Sequence, residues 1–178
     1  PAIGILLVNM GTPEAPSTSA LRSYLKQFLS DPRVVEMNRQ LWWMILNLVI
    51  LNVRPKKSAH AYQSVWTDKG SPLMMYSLLQ QEKLQGALEH QFEHDVHVEL
   101  AMTYGSPSME QVLSVLRDKK CTKICVLPLY PQYSGSTTGA VTDALFDVFK
   151  RWRRVPSLRV MTAYHDDPSY IEALANSV

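Results

Sequence analysis

Four short apolar runs recur along the chain, each followed by residues with helical spacing, and this alternation is the feature that most constrains the fold. The runs occupy 3–8, 96–103, 124–129 and 158–163. After them, apolar residues recur three and four positions apart, as on one face of a helix. Alternating strands and helices favour a parallel sheet with right-handed crossovers. The sequence therefore predicts an α/β fold: a Rossmann-like, parallel four-stranded sheet flanked by helices, in one domain over 1–178.

Two of the predicted helices have recognisable starts. Ser108 and Gln111 have the spacing of a capping box, in which each side chain satisfies the other residue's backbone N–H. Asp167 before Pro168 is typical of an N-cap followed by proline at the first helical position. The crossover between the first two strands is long, and such excursions often carry function. It is predicted to hold helices near 34–52, 56–66 and 77–93.

Composition excludes several classes of protein. Apolar residues make up 46% of the 178 residues, which excludes a disordered chain. The basic run 150–154 is explained by cations that complement the dipole at a helix end, and no nucleic-acid partner is expected. Cys121 and Cys125 are the only cysteines, and they lie along a strand rather than facing each other. This favours free thiols and a cytoplasmic location.

The loops that follow the strands have an unusual composition. Residues 9–13 and 104–107 combine Gly, Pro and hydroxyl side chains with Met10 and Tyr104, and residues 128–139 add Tyr133 to four hydroxyl side chains. In open α/β sheets, ligands bind at the carboxyl ends of the strands, where these loops must lie. Turn formation alone explains any single loop equally well. Taken together, the loops favour a flat, partly apolar ligand with polar edges.

Two other kinds of site fit the sequence less well. A dinucleotide site requires Gly-x-Gly-x-x-Gly after the first strand, but that turn has one glycine and two prolines, and there is no Walker A lysine. His90, His94 and His97 have metal-site spacing, yet they fall at a helix-to-strand turn on the opposite side of the sheet. A solvated polar loop explains them better, and no metal site is predicted. His165 follows the fourth strand at the carboxyl side.

The segment 41–53 is apolar on every side. Thirteen residues are too few to span a bilayer, and a helix that is apolar all round is usually buried. Burial, or a lip around an apolar ligand, is therefore the preferred interpretation. The tryptophans at one end and the basic residues Arg54, Lys56 and Lys57 at the other also suit peripheral contact with the inner membrane, and the two interpretations can coexist.

With these residues in view, the chain resembles the N-terminal half of a bacterial ferrochelatase, which inserts ferrous iron into a porphyrin. The resemblance covers essentially all 178 residues, and its most specific parts are Val-Asn-Met-Gly-Thr-Pro at 8–13, Gly-Ser-Pro at 70–72, Met-Thr-Tyr-Gly at 102–105 and Leu-Tyr-Pro-Gln-Tyr-Ser at 129–134. It implies two similar Rossmann-like domains around a porphyrin cleft, with the C-terminal half of the same enzyme as partner. Porphyrin and ferrous iron are then substrates, and no tightly bound cofactor is expected.

The resemblance also implies porphyrin-binding positions. It places Met10 against the macrocycle, puts Arg33, Tyr62 and Ser71 along the pocket or near the porphyrin carboxylates, and sets Tyr104, Tyr133 and Ser134 on the cleft wall. An apolar disc suits aromatic and aliphatic walls, while its carboxylates suit hydroxyls or an arginine fork.

Two departures limit what this segment does. Some relatives have arginine where this chain has Thr103. The family's Ser-Tyr-His or Ser-Ala-His turn and its partner glutamate are absent, and His165 is not assigned their role. The resemblance therefore implies that the cleft distorts the porphyrin while a histidine outside this segment accepts the pyrrole protons, and no catalytic residue is predicted here. The alternatives are another tetrapyrrole metal chelatase and a non-catalytic porphyrin-binding module.

Overall fold

The computed structural model describes residues 2–92 and 94–177. Within them lies one parallel sheet of four strands in the order β2-β1-β3-β4. This confirms the predicted α/β class and all four strands. The strands are β1 (Ala2–Asn9), β2 (Val96–Met102), β3 (Cys121–Pro128) and β4 (Ser157–Val160).

Helices cover both faces of this sheet. They are α1 (Thr18–Ser30), α2 (Arg39–Ile45), α3 (Leu51–Val65), α4 (Pro72–Glu89), α5 (Met109–Asp118), α6 (Ala140–Phe149) and α7 (Pro168–Ala175), with π-helical segments at Leu46–Ile50 and Gly135–Gly139. Alternate residues of β1 enter different cores, because successive side chains of a strand point to opposite faces. Leu6 and Val8 pack with α5 and α6, whereas Leu7 packs with α4. Burial of both faces explains why the strands read as continuous apolar runs.

The predicted helix starts are confirmed. The Ser108 hydroxyl accepts from the Gln111 amide, and the Gln111 side chain accepts from the Ser108 amide, so the capping box is complete. Asp167 caps α7 by accepting from the amides of residues 169 and 170. Val178 at the end of this helical pattern, and position 93 at the end of the predicted 77–93 helix, lie outside the described residues.

The helices of the long crossover differ from the prediction. The chain is helical without a break from 39 to 65, rather than in two helices at 34–52 and 56–66. It begins at 39 because the Asn38 side chain caps the amides of residues 40 and 41. Similarly, α4 begins at Pro72 rather than 77 because Ser71 caps it.

Pro55 does not break the helix. Proline has no N–H to donate to the carbonyl four residues earlier, but Arg22 replaces it by donating to the Leu51 carbonyl at 2.7 Å. The Asn52 side chain accepts from the same Arg22 guanidinium at 3.0 Å and donates to the Leu48 carbonyl at 2.8 Å. Side chains thus satisfy the backbone where the helical ladder changes register.

The expectation that 41–53 is buried is correct for only one face. Leu46 and Leu51 are 2% exposed and pack against α1, whereas Leu48 is 68% exposed and Trp43 63%. Among residues 2–92 and 94–177, no helix has the length and apolar character needed to cross a bilayer.

Candidate functional site

The carboxyl ends of three neighbouring strands bring the unusual loops together. The loops at 9–13, 103–107 and 129–139 form one rim of the sheet, which we call the carboxyl edge. Backbone hydrogen bonds continue past the strands into these loops: the Tyr104 amide donates to the Met10 carbonyl at 2.9 Å, and the Leu129 amide to the Val8 carbonyl at 2.7 Å. Met10 and Tyr104 are therefore fixed side by side.

Gly11 allows the first two loops to lie in contact. Its φ is +109°, and a Cβ built on it would lie 1.8 Å from the Tyr104 carbonyl oxygen. No other residue fits, since a side chain would overlap backbone atoms and the left-handed backbone would be strained. On the other side of the contact, the Thr12 carbonyl oxygen lies 3.1 Å from the Cβ position of Gly105.

Tyr104 lies beneath this rim. It is 4% exposed, its ring meets Phe28 edge-on at 5.2 Å, and its hydroxyl donates to the Asp31 carboxylate at 2.7 Å. Burial, followed by the Asp31 hydrogen bond and charge, raises the pKa of the phenol. Tyr104 thus ties the second loop to the end of α1, and contact between its side chain and a porphyrin stays a prediction.

A second buried tyrosine holds the first loop. The Tyr24 hydroxyl donates to the Gly11 carbonyl at 3.1 Å, and burial raises the pKa of this phenol. Met10 is half-buried and packs on the cluster that contains Tyr24 and Tyr104. The backbone of this rim is therefore fastened to α1 from below.

Arg33 is held at the rim by a bidentate ion pair. Its Nε and Nη2 donate to the two Asp143 carboxylate oxygens of α6 at 2.6 and 3.0 Å, and its side chain remains 41% exposed. This hydrogen bond lowers the pKa of the Asp143 carboxyl and raises the pKa of the Arg33 guanidinium. The Tyr133 phenol also raises the pKa of Arg33. A guanidinium has five N–H groups, so three are left for a further acceptor.

The third loop carries an exposed aromatic residue and, directly after it in sequence, a cluster of hydroxyls. Tyr133 is 57% exposed. The Ser134 hydroxyl lies 2.6 Å from that of Thr137 and 3.3 Å from that of Ser136, where the π-helical turn leads into α6. Tyr133 is available to a ligand without rearrangement, whereas Ser134 is half-buried and already has hydroxyl partners.

Ser71 lies beside the first loop, and Tyr62 lies on α3. Ser71 is buried and caps α4, its hydroxyl accepting from the Met74 amide at 3.4 Å. It lines a small cavity of about 230 Å³ together with Thr12 and Pro13. Tyr62 is half-buried on α3, with its ring 6.3 Å from that of Trp66, and burial raises the pKa of its phenol. Trp66 lines the same cavity, so Ser71 lies beside the first loop and Tyr62 lies next to a residue of the cavity wall.

Comparison with known proteins identifies the family. The family model described as Ferrochelatase matches residues 2–178. The chain is 55% identical over 178 residues to the ferrochelatase of Teredinibacter turnerae and 52% identical over 176 residues to that of Pseudoalteromonas atlantica. These matches cover 100% and 99% of this chain and 49% of each relative. The chain belongs to the ferrochelatase family. It spans about half the length of the curated relatives it matches.

Residues that fasten the carboxyl edge of this ferrochelatase-family chain were missed by sequence reasoning. No site role is predicted from the sequence for Tyr24, Asp31 or Asp143. The Asp31–Tyr104 and Arg33–Asp143 pairs are 73 and 110 residues apart in sequence. Local spacing patterns do not predict contacts between residues so far apart in sequence.

The buried hydroxyls of Thr12 and Thr138 have no hydrogen-bond partner among the described residues. Both belong to loops of the carboxyl edge. Across residues 2–92 and 94–177, no three His, Cys, Asp or Glu side chains are grouped to hold a metal ion.

Proposed function

We propose that this chain is the N-terminal half of a ferrochelatase, which inserts ferrous iron into a porphyrin to give haem, and that its carboxyl edge forms one wall of the porphyrin cleft. The proposal depends on the side chains that meet at the carboxyl edge, in a chain that matches the ferrochelatase family model from residue 2 to 178. Met10 and the exposed Tyr133 offer apolar surface, and hydroxyls and Arg33 lie beside it. This combination suits a planar macrocycle with carboxylates at its margin.

The residues of this chain then have distinct roles. Met10 and Tyr133 lie against the macrocycle, while the spare N–H groups of Arg33 face a porphyrin carboxylate. Tyr104, fastened to Asp31, keeps the rim rigid, so that binding energy can distort the porphyrin rather than the protein. The base that accepts the pyrrole protons belongs to the other half of the enzyme, and this chain contributes no catalytic residue.

The test is porphyrin affinity of the full-length protein, measured by quenching of porphyrin fluorescence. Met10→Ala and Tyr133→Ala should each raise the dissociation constant, because each removes apolar contact area. Phe146→Ala is the matched control, since this exposed aromatic lies towards the far end of α6. Unchanged affinity in both rim variants would remove the cleft assignment. Metal competition with ferrous iron and cobalt separates a ferrochelatase from another tetrapyrrole chelatase.

The exposed face of the helical segment 39–53 supports a further proposal: peripheral contact with the inner membrane. Leu41, Met44 and Leu48 are spaced three and four residues apart, and all three are exposed. In the full-length protein, Leu41→Ser with Leu48→Ser should reduce co-sedimentation with phosphatidylglycerol vesicles. Val115→Ser, on an exposed position of α5, should not. Equal sedimentation of all variants would refute the membrane contact.

A further inference from the structure

A cavity of about 670 Å³ opens on the side of the sheet opposite the carboxyl edge. It lies at the amino ends of β3 and β4, where Lys123 pairs with Ser157. Its basic side chains come from the end of α5, the start of β3 and the segment after α6: they are Arg117, Lys120, Lys123, Arg151, Arg153 and Arg154. We call this the basic cavity.

The positive charge of the basic cavity is largely uncompensated. None of its lining residues is acidic. Two of its arginines have acidic neighbours outside the lining, at 3.5 Å from Asp118 and 3.1 Å from Glu110, but all four side chains are more than half exposed. Exposed pairs of this kind are weak. The other four cations form no ion pair within residues 2–92 and 94–177, and a concave surface of one sign concentrates counter-ions.

One wall of the basic cavity is ordered by an aromatic side chain. The Arg117 guanidinium lies 5.0 Å from the centre of the Trp152 ring, within cation–π distance. Trp152 in turn packs edge-on against the buried Phe149 at 5.2 Å. Because Trp152 is anchored in the core, Arg117 is held towards the cavity before any ligand arrives, which lowers the cost of binding.

Lys120 adds a second structural constraint. Its φ is +58°, the one positive value at a non-glycine position among the described residues. This is the position after a helix end where glycine is favoured, because a side chain there strains the left-handed backbone. The chain nevertheless keeps a cation at this point of the lining. A costly local conformation is a reason to look for function.

The helix-dipole explanation does not account for the whole cluster. It fits Lys150, which pairs with Asp147 in the last turn of α6 at 2.7 Å. It does not explain why Arg153 and Arg154, beyond the helix, line the same cavity as Lys123 of a strand. Six cations from separate segments form a common surface, so the ligand they suit carries several negative charges.

We propose that the basic cavity binds a small molecule carrying two or more phosphate groups. Guanidinium forks and ammonium groups match phosphate oxygens, and the cavity has room for more than a single phosphate. This site is independent of the carboxyl edge, since the two lie at opposite ends of β3.

The experiment is calorimetric titration of the full-length protein with tripolyphosphate. Saturable binding is expected, and Lys123→Ala with Arg153→Ala should weaken it at least about tenfold, or about 1.4 kcal/mol. Arg153→Lys keeps the positive charge but loses the forked guanidinium donors. Its affinity for tripolyphosphate should fall between those of the wild type and the double variant. Arg54→Ala with Lys56→Ala removes the same charge from α3 and should leave the affinity unchanged. Equal melting temperatures show that the variants remain folded.

Four results would overturn the proposal. They are the absence of saturable tripolyphosphate binding, an equal loss in the α3 control, equally tight binding of citrate, and binding to phosphatidylglycerol vesicles without binding to tripolyphosphate. Displacement of tripolyphosphate by a nucleoside triphosphate would support the proposal and indicate the class of natural ligand. The variant with Lys123→Ala and Arg153→Ala should bind porphyrin with unchanged affinity. The test of the basic cavity is therefore independent of the test of the porphyrin cleft.

Discussion

Replacing Gly11 by alanine perturbs the contact on which the carboxyl edge is built. The new Cβ would lie 1.8 Å from the Tyr104 carbonyl oxygen and 2.9 Å from its carbon, and both are backbone atoms that cannot rotate away. The backbone at Gly11 also has φ +109°, which alanine rarely adopts. The substitution thus combines a strained conformation with a steric overlap.

Two other glycines separate these contributions. A Cβ at Gly70, with φ +98°, meets nothing within 4 Å, so Gly70→Ala tests strain without overlap. Gly86 lies within α4 with open space around its Cβ position, so Gly86→Ala tests neither. The three substitutions share the same chemical change and differ only in backbone conformation and surroundings.

The magnitudes follow from these differences. Gly86→Ala should stabilise the protein by about 0.5–1 kcal/mol, because alanine loses less conformational freedom in a helix. Gly70→Ala should destabilise it by roughly 1–2 kcal/mol from the left-handed conformation alone. Gly11→Ala adds about 1–3 kcal/mol for overpacking, for a total of about 2–5 kcal/mol. This is a large share of the roughly 5–15 kcal/mol that stabilises a typical native protein.

The assay is urea unfolding of the full-length protein followed by far-ultraviolet circular dichroism, with porphyrin titration of each variant that remains folded. The expected order of stability is Gly86→Ala, wild type, Gly70→Ala and then Gly11→Ala. Gly11→Ala should also weaken porphyrin binding, because Met10 must move with the loop. If Gly11→Ala were no less stable than Gly70→Ala, the close packing of the first two loops would be refuted.

Three further predictions concern the buried tyrosines and the activity of this half. Tyr104→Phe removes the hydrogen bond to Asp31 and should lower the free energy of unfolding by about 1–3 kcal/mol. Tyr76→Phe, at an exposed position, should change it little. Equal effects of the two substitutions would contradict a stabilising role of the Tyr104–Asp31 hydrogen bond. Burial raises the pKa values of Tyr24, Tyr104 and Tyr130. Tyrosines of the unfolded chain lose their proton near pH 10, whereas these buried tyrosines of the folded protein retain it. The free energy of unfolding should therefore keep its full value below about pH 10 and fall as the pH rises further. A urea midpoint that stays constant as the pH rises above about 10 would contradict the burial of these tyrosines. Residues 1–178 expressed alone should show no iron-dependent loss of porphyrin fluorescence, and catalysed loss by the pure, folded segment would show that the base lies within it.

The sheet could be predicted because each strand, and the helix that follows it, has a characteristic apolar pattern in consecutive residues. The same holds for the helix starts at Ser108 and Asp167, where a cap and its partners lie within three positions. The unbroken helix through Pro55 was not predictable, because the donor that replaces the missing N–H comes from Arg22 on another helix. Local patterns report local contacts, and this exception depends on a distant one.

The candidate site shows the same division. The loops of the carboxyl edge could be located from the ends of the strands, and Tyr133 is exposed there as a ligand-facing residue must be. The depth of Tyr104 and the pairing of Arg33 with Asp143 could not be inferred, because they depend on how α1 and α6 approach the rim. Residue type and loop position do not reveal which side chains are already engaged with one another.

The central claim is that the carboxyl edge of this domain is one wall of a porphyrin cleft. A crystal structure of the full-length protein with bound porphyrin tests it most directly. We predict that, within this domain, Met10 and Tyr133 lie in van der Waals contact with the macrocycle and an Arg33 N–H lies within hydrogen-bond distance of a porphyrin carboxylate. A macrocycle bound with none of the three loops of the carboxyl edge in contact would contradict the claim.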